Sequence, residues 1–219
     1  MGYQGSRYPF GYLLFCIYRK NIPPHRLRDA RFYIIMSHNE RNREELMKTW
    51  NDCVAFHGHE CGGMAIGYKA SLYAVELLNL EFSHDEQVVC ISENDACGVD
   101  AIQVMLGCSI GKGNLLFRMR GKQAFSFYNR KTGAAVRLVL KPKPQGMTKE
   151  QSFAYYMNTD HKDLFEVKAA TIPLPGEAKI FDSAVCACCG ETTGANWLRV
   201  AGDQLLCLDC YESYDRFHI

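Results

Sequence analysis

The sequence predicts an α+β fold: helices and an antiparallel sheet share one core, and a small zinc-ribbon module follows at the C-terminus. Three observations carry this. Helical periodicity dominates the first half, strand-like runs joined by short turns follow it, and two CxxC pairs close the chain. With 219 residues there is room for one sizeable core and one small appended unit. Apolar residues at 47% and charged residues at 22% are globular proportions, which exclude a largely disordered chain.

Residues 1–36 read as an atypical leader, basic and aromatic, with a Pro23-Pro24 break and no sustained periodicity. No basic segment precedes its apolar run, so it does not fit a secretory signal. Met1-Gly2 with Ser6 loosely matches a myristoylation pattern. Met36 is expected to be the natural start, with 1–35 non-native or translated from upstream. Ser37 as N-cap and Glu40 three residues later open a helix expected over 39–55. The polar break His57-Gly58-His59-Glu60-Cys61-Gly62-Gly63 precedes a second helix, expected over 64–78. Its small residues Gly67, Ala70, Ser71 and Ala74 allow close packing.

A buried strand is expected at 88–92 and a short helix at 99–106. Strands at 115–120, 124–128 and 135–140 are separated by turn residues, and two helices fit 149–157 and 161–167. The divisions are therefore a core at 37–171, a Pro-rich linker at 172–184 and the ribbon at 185–219.

The net charge of +1 hides segregation. Residues 37–100 hold four Lys/Arg against twelve acids, while 101–149 hold ten Lys/Arg and no acid. Such a stretch attracts a small anion, nucleic acid or an acidic partner; it also suits docking onto the acidic segments of the same chain or of a dimer mate. No apolar run approaches the length of a membrane-spanning helix, so no membrane role is expected. Eleven cysteines, an odd number in a long chain with no secretory signal, point to metal in a reducing cytoplasm rather than to disulfides.

Cys186-Ala187-Cys188-Cys189 and Cys207-Leu208-Asp209-Cys210 form two CxxC knuckles separated by 17 residues. Each knuckle presents two sulfurs on one side of a tight turn, and two knuckles complete a tetrahedral thiolate site for structural zinc. The competing reading is a redox CxxC pair. Cys188 lies inside the first knuckle and is able to replace Cys186 or Cys189 as a ligand.

His57, His59 and Cys61 alternate along a loop that ends at a helix N-terminus, where the unpaired N–H groups favour a thiolate. Cys97 stands just before another helix start, between Asp95 and Asp100. Spacing alone leaves two readings open, a shared functional site or buried His and Cys residues in a turn. The run from Gly107 to Asn114 fails the Walker pattern in its glycine gap and at Gly113, so it gives no support for ATP hydrolysis. A backbone anion nest beside Lys112 remains a candidate.

Phe56-His57-Gly58-His59-x-Cys61, then Asp95-x-Cys97-x-x-Asp100-Ala101-Ile102-Gln103, then Gly107-Cys108-Ser109-x-Gly111-Lys112-Gly113-Asn114 together resemble the FmdE family, named for formylmethanofuran dehydrogenase. The likeness runs over about 38–215, ribbon included, and departs from the family pattern at Gly62, where proline is preferred. The resemblance implies an α+β core that forms an intimate dimer. It also implies a metal site built from His57, His59, Cys61 and Cys97, with Asp100 as a neighbour.

The leading expectation is a metal-binding accessory or component protein of molybdenum- or tungsten-dependent formylmethanofuran dehydrogenase-type oxidoreduction, serving delivery, assembly or regulation. The second is an enzyme acting on a small anionic substrate. There a metal held by His57, His59 and Cys61 or Cys97 would activate water with Glu60 or Asp100 as base, or, without metal, Cys61 or Cys97 would be the nucleophile with a histidine as base. The third and least favoured is nucleic-acid binding through the basic stretch and its aromatics Phe117, Phe125, Phe127 and Tyr128.

Overall fold

The computed structural model describes residues 48–214 and 216. Cys16, the proposed leader and the Ser37–Glu40 capping box lie outside the described residues. The first described helix, α1, spans Trp50–His57. Thr49 caps it: the Thr49 hydroxyl accepts from the Asp52 amide, and the Asp52 carboxylate accepts from the Thr49 amide, while residues 39–47 of the expected helix lie outside the described residues. Helix α2 spans Gly62–Leu78 and buries Met64, Ala65, Ile66, Gly67, Ala70, Ser71 and Ala74. Most of these are small, which lets neighbouring backbones approach.

Strand β1 (Val88–Ser92) is buried along its whole length, because both of its faces are covered. Val88 and Cys90 pack into the main core with α2 and with α3 (Gly98–Leu106). Val89 and Ile91 point the other way, under Ala170 and Ile172 of the extended connector. The sheet continues with β2 (Leu115–Phe117), β3 (Ala124–Asn129), β4 (Ala135–Leu140) and β5 (Phe165–Lys168), in the order β2-β1-β3-β4-β5. Phe125 and Phe127 of β3 are fully buried on the helix side. Tyr128 faces the connector and donates to the Ile172 carbonyl at 2.8 Å.

Helix α4 (Lys149–Asn158) and one turn, α5 (His161–Leu164), lie between β4 and β5. Beyond the connector come two hairpins: β6 (Ser183–Val185) with β7 (Thr192–Gly194), and β8 (Arg199–Ala201) with β9 (Gln204–Leu206). The architecture is the expected α+β class, helices against a sheet in which antiparallel pairing predominates.

Two elements depart from the sequence reading. Residues 115–117 do not join 124–128; they pair parallel to β1, so β1-α3-β2 is a crossover unit within the sheet. Residues 165–168 are strand instead of helix, because Val167 pairs with Leu138 and Phe165 with Leu140. Asp160 caps the preceding turn and Leu164 is buried, so helix formation stops after four residues.

The segregated charges meet inside the chain. Arg130 bonds Glu86 at 3.2 Å, Lys131 lies 3.5 Å from Glu81, and Arg137 grips Glu93 through two contacts of 2.6 and 2.9 Å. Part of the acid-free stretch therefore neutralises the acidic segment before it. Among the described residues no helix is long and apolar enough to cross a membrane.

Candidate metal centres

The first centre is assembled at two helix N-termini. Helix α1 ends at Gly58, whose φ of 91° reverses the chain and whose amide bonds the Val54 carbonyl at 2.8 Å. The loop folds back on α1 through the Trp50 indole, which donates to Glu60 at 2.9 Å. Cys61 then caps α2, its sulfur accepting from the Met64 amide at 3.3 Å. Cys97 occupies the same position at the start of α3.

Gly67 and Gly98 bring these two starts together. A side-chain carbon on Gly67 would sit 1.9 Å from the Gly98 carbonyl oxygen, so only glycine permits this approach of α2 to α3. His57 Nε2, Cys61 Sγ and Cys97 Sγ consequently belong to a cluster whose ligand atoms all lie within 4.8 Å of one another. His57 Nε2 is 3.7 Å from Cys61 Sγ, and its Nδ1 is 2.8 Å from Asp100 Oδ2. With Nδ1 carrying the proton and donating to Asp100, Nε2 presents its lone pair toward the thiols. That carboxylate–imidazole arrangement orients metal-ligating histidines. Gln103 Nε2 in turn donates to Asp100 Oδ1 at 3.2 Å.

Burial pushes the Cys97 thiol above its ordinary value, and the neighbouring Cys61 thiol adds to the effect. Two adjacent sulfurs cannot both ionise cheaply unless a cation joins them. The donor set of one imidazole nitrogen and two thiols suits zinc or another borderline-soft divalent metal. Gly63, which sequence reasoning passed over, is part of the centre: a Cβ there would stand 3.6 Å from Cys97 Sγ and 3.8 Å from Cys61 Sγ. The Gly62-Gly63 pair after Cys61 was the available signal. Gly62 is the first residue of α2, a position that also suits proline.

The other residues of the loop stand apart. His59 is exposed and outside the converging atoms, with its ring 4.6 Å from that of His57. Glu60 is exposed and engaged with Trp50. Lys112 lies elsewhere, donating to the Ser83 carbonyl at 2.7 Å with its ammonium 5.7 Å from the Phe82 ring centroid. The glycine-rich run around it is organised by buried Asn114. Its amide donates to the carbonyls of Val88 (2.9 Å) and Asp85 (3.0 Å), and its oxygen accepts from the Ser109 amide. That loop has a structural job. Phe125, Phe127 and Tyr128 are core residues, unable to stack on bases; of the four aromatics in the basic stretch, Phe117 alone is exposed.

The second centre is the C-terminal thiol cluster. The sulfurs of Cys186, Cys189, Cys207 and Cys210 lie within 4.8 Å of one another and fit a four-thiolate metal site. Gly190, at φ 78°, closes the first knuckle with its amide on the Cys186 carbonyl. The Cys207 amide donates to Cys186 Sγ at 3.3 Å and is the chief cause that lowers the Cys186 thiol to about 6. Cys210 is pushed up, chiefly by Cys207. Cys188 is exposed and outside the four. Among its described residues only Cys186, Leu198 and Cys207 are buried, so a metal held by the four thiols would be the main stabilising element of the module.

Three comparisons bear on these centres. A family model described as FmdE, molybdenum formylmethanofuran dehydrogenase operon, matches residues 56–174, which include His57, Cys61, Cys97 and Asp100 and end before the thiol module. A curated relative from Archaeoglobus fulgidus, named a probable S-adenosyl-L-methionine-binding protein, is 26% identical over 191 residues, covering 73% of this chain and 51% of the relative. The chain thus spans about half the length of that relative. The crystal structure of a tungsten formylmethanofuran dehydrogenase FmdE-like protein from Syntrophus aciditrophicus superposes with a TM-score of 0.54 at 24% identity. It covers 73% of this chain and 88% of that one, a likeness of fold.

Proposed function

The chain belongs to the FmdE family, and from that premise we propose a two-site metal protein in which one site holds the structure and the other works. Cys186, Cys189, Cys207 and Cys210 hold a structural zinc; four protein ligands leave it no open position. His57, Cys61 and Cys97 hold a second metal. The observation that carries this reading is the donor count there: three convergent ligands, with Asp100 fixing the imidazole, against four at the ribbon.

A divalent ion bound by three protein groups keeps a fourth position for an exchangeable ligand, on which it acts as a Lewis acid. The chain supplies the rest. Cys61 and Cys97 stand at the starts of α2 and α3, Asp100 orients the His57 imidazole through Nδ1, and Gly63 leaves room beside the sulfurs. His59, exposed on the same loop, lies with its ring 4.6 Å from that of His57.

The biological role we favour is accessory, in delivery, assembly or regulation for molybdenum- or tungsten-dependent formylmethanofuran dehydrogenase-type oxidoreduction, with the protein as a cytoplasmic homodimer. The family description and the name of the structural neighbour support this reading. The open position favours a second reading, an enzyme acting on a small anionic substrate at the same metal.

Elemental mass spectrometry on the wild type, Cys207→Ser and Cys97→Ser tests the proposal. Two metals per chain, falling to one in each variant, is the expected result. One metal in the wild type, abolished by Cys207→Ser and untouched by Cys97→Ser, removes the second site and with it both readings.

A further inference from the structure

We propose that Cys61 and Cys97 form a reversible dithiol–disulfide couple whose oxidation discharges the metal from this centre. The inference rests on the reading of His57, Cys61 and Cys97 as a metal site and adds a redox control to it.

The geometry separates this pair from the other core thiols. Cys61 and Cys97 come from different elements, are half-buried, and place their sulfurs within 4.8 Å. They are held together by the Gly67–Gly98 crossing rather than by sequence proximity. A Cβ at Gly63 would touch both sulfurs, so glycine keeps a side chain off that side of the pair. Disulfide formation needs only that side-chain rotation close the remaining gap to bonding distance. Cys53, Cys90 and Cys108 are fully buried; burial pushes Cys53 up to about 11, Cys108 to about 12 and Cys90 well above its ordinary value. Those thiols are shielded, whereas Cys61 and Cys97 are half-buried, so an oxidant entering from solvent meets this pair before them.

With a peroxide as oxidant, one thiolate attacks a peroxide oxygen, the O–O bond breaks and a sulfenic acid forms, with release of one water. The second thiolate attacks that sulfur, the S–O bond breaks, and the disulfide forms as the hydroxyl leaves, protonated, as a second water. Two thiols give up two electrons and two protons, and the peroxide becomes two waters. The disulfide sulfurs have lost the anionic character a divalent metal needs, so two of the three ligands vanish together and the ion leaves. A thiol reductant reverses the step.

The test uses the full chain, stripped with a chelator or reloaded with zinc alone, then treated with hydrogen peroxide and mapped by mass spectrometry after alkylation of free thiols. The expected result is a peptide pair cross-linked through Cys61 and Cys97 in the stripped protein, slowed by zinc, absent in Cys61→Ser and reversed by reductant. Serine retains an oxygen to cap α2, so that variant keeps its fold. The oxidised chain should bind one zinc fewer than the reduced chain. Alkylatable Cys61 and Cys97, or separate sulfinic acids at both, while other thiols cross-link, overturns the inference and leaves the metal site standing. Unchanged metal content in Cys97→Ser overturns the metal reading and this control with it.

Discussion

Gly67 and Gly98 are in backbone contact: a Cβ on Gly67 would lie 1.9 Å from the Gly98 carbonyl oxygen and 2.5 Å from its carbonyl carbon. Gly98 is the first residue of α3 and follows Cys97, while Gly67 lies in the second turn of α2, whose cap is Cys61. This crossing sets the distance between the two thiols. The candidate metal centre is thus a consequence of how closely two helices approach, and a backbone change remote from any ligand atom should disturb it.

Gly67→Ala is the direct check. Overpacking against rigid backbone typically costs about 1–3 kcal/mol, and here α3 must shift to relieve the overlap. The variant should melt several degrees lower and lose the metal bound by His57, Cys61 and Cys97 while retaining that of the C-terminal thiols. Thermal unfolding and metal content measure the two effects. A variant with wild-type metal stoichiometry would show that the crossing does not control the centre.

Asp100 bonds His57 and Gln103, and its charge also raises the Cys97 thiol, so its removal tests chiefly the orienting role. Asp100→Ala frees the imidazole to rotate and to place its proton on either nitrogen. Loss of such a partner typically weakens metal binding about 10–100-fold. Competition with a chromogenic chelator should show that loss at one site of the two. Equal weakening at both sites would indicate general destabilisation instead.

Elements with strong local signals were legible before the fold was known. β1 and β4 read from their β-branched runs, α2 and α3 from their periodicity, and the cysteine knuckles from spacing. What escaped was set by tertiary contact. The 115–117 run reads as half of a hairpin until β1 takes it as a parallel neighbour, and 165–168 reads as helix until β4 pairs with it. At the site, His57, Cys61 and Cys97 are visible as residue types. The exclusion of His59 and the inclusion of Gly63 depend on the loop's path, which the Trp50–Glu60 bond and Gly58 determine.

The described part of the C-terminal module has three buried residues and two short hairpins, too little core to hold itself together. Structural zinc in such units contributes an apparent binding energy of about 10–16 kcal/mol, most of which appears as folding. Chelation, or Cys207→Ser, should therefore abolish amide exchange protection at Cys186, Gly190 and Cys210 while β1 and β3 stay protected. Hydrogen exchange read by mass spectrometry distinguishes this from global unfolding, in which both regions would lose protection together.

Glu93 and Arg137 join the end of β1 to β4 through a two-pronged ion pair whose side chains are 6% and 15% exposed. The Arg137 guanidinium holds the Glu93 carboxyl below its ordinary 4.5. A carboxyl depressed in the folded state stabilises the protein above its unfolded pKa, and that contribution disappears as pH falls through the folded value. The wild type should thus lose stability on acidification below about 4.5, in part through this pair. Arg137→Met leaves the buried carboxylate without its hydrogen-bonded cation, with the charges of Lys122 and Arg118 still acting on it, and should cost about 3 kcal/mol at neutral pH. Adding Glu93→Gln removes the stranded charge and should recover part of that loss while flattening the acid limb. Urea midpoints across the pH range separate these outcomes: a single variant as stable as the wild type, or a double variant with an unchanged acid limb, would show that the pair contributes nothing to either.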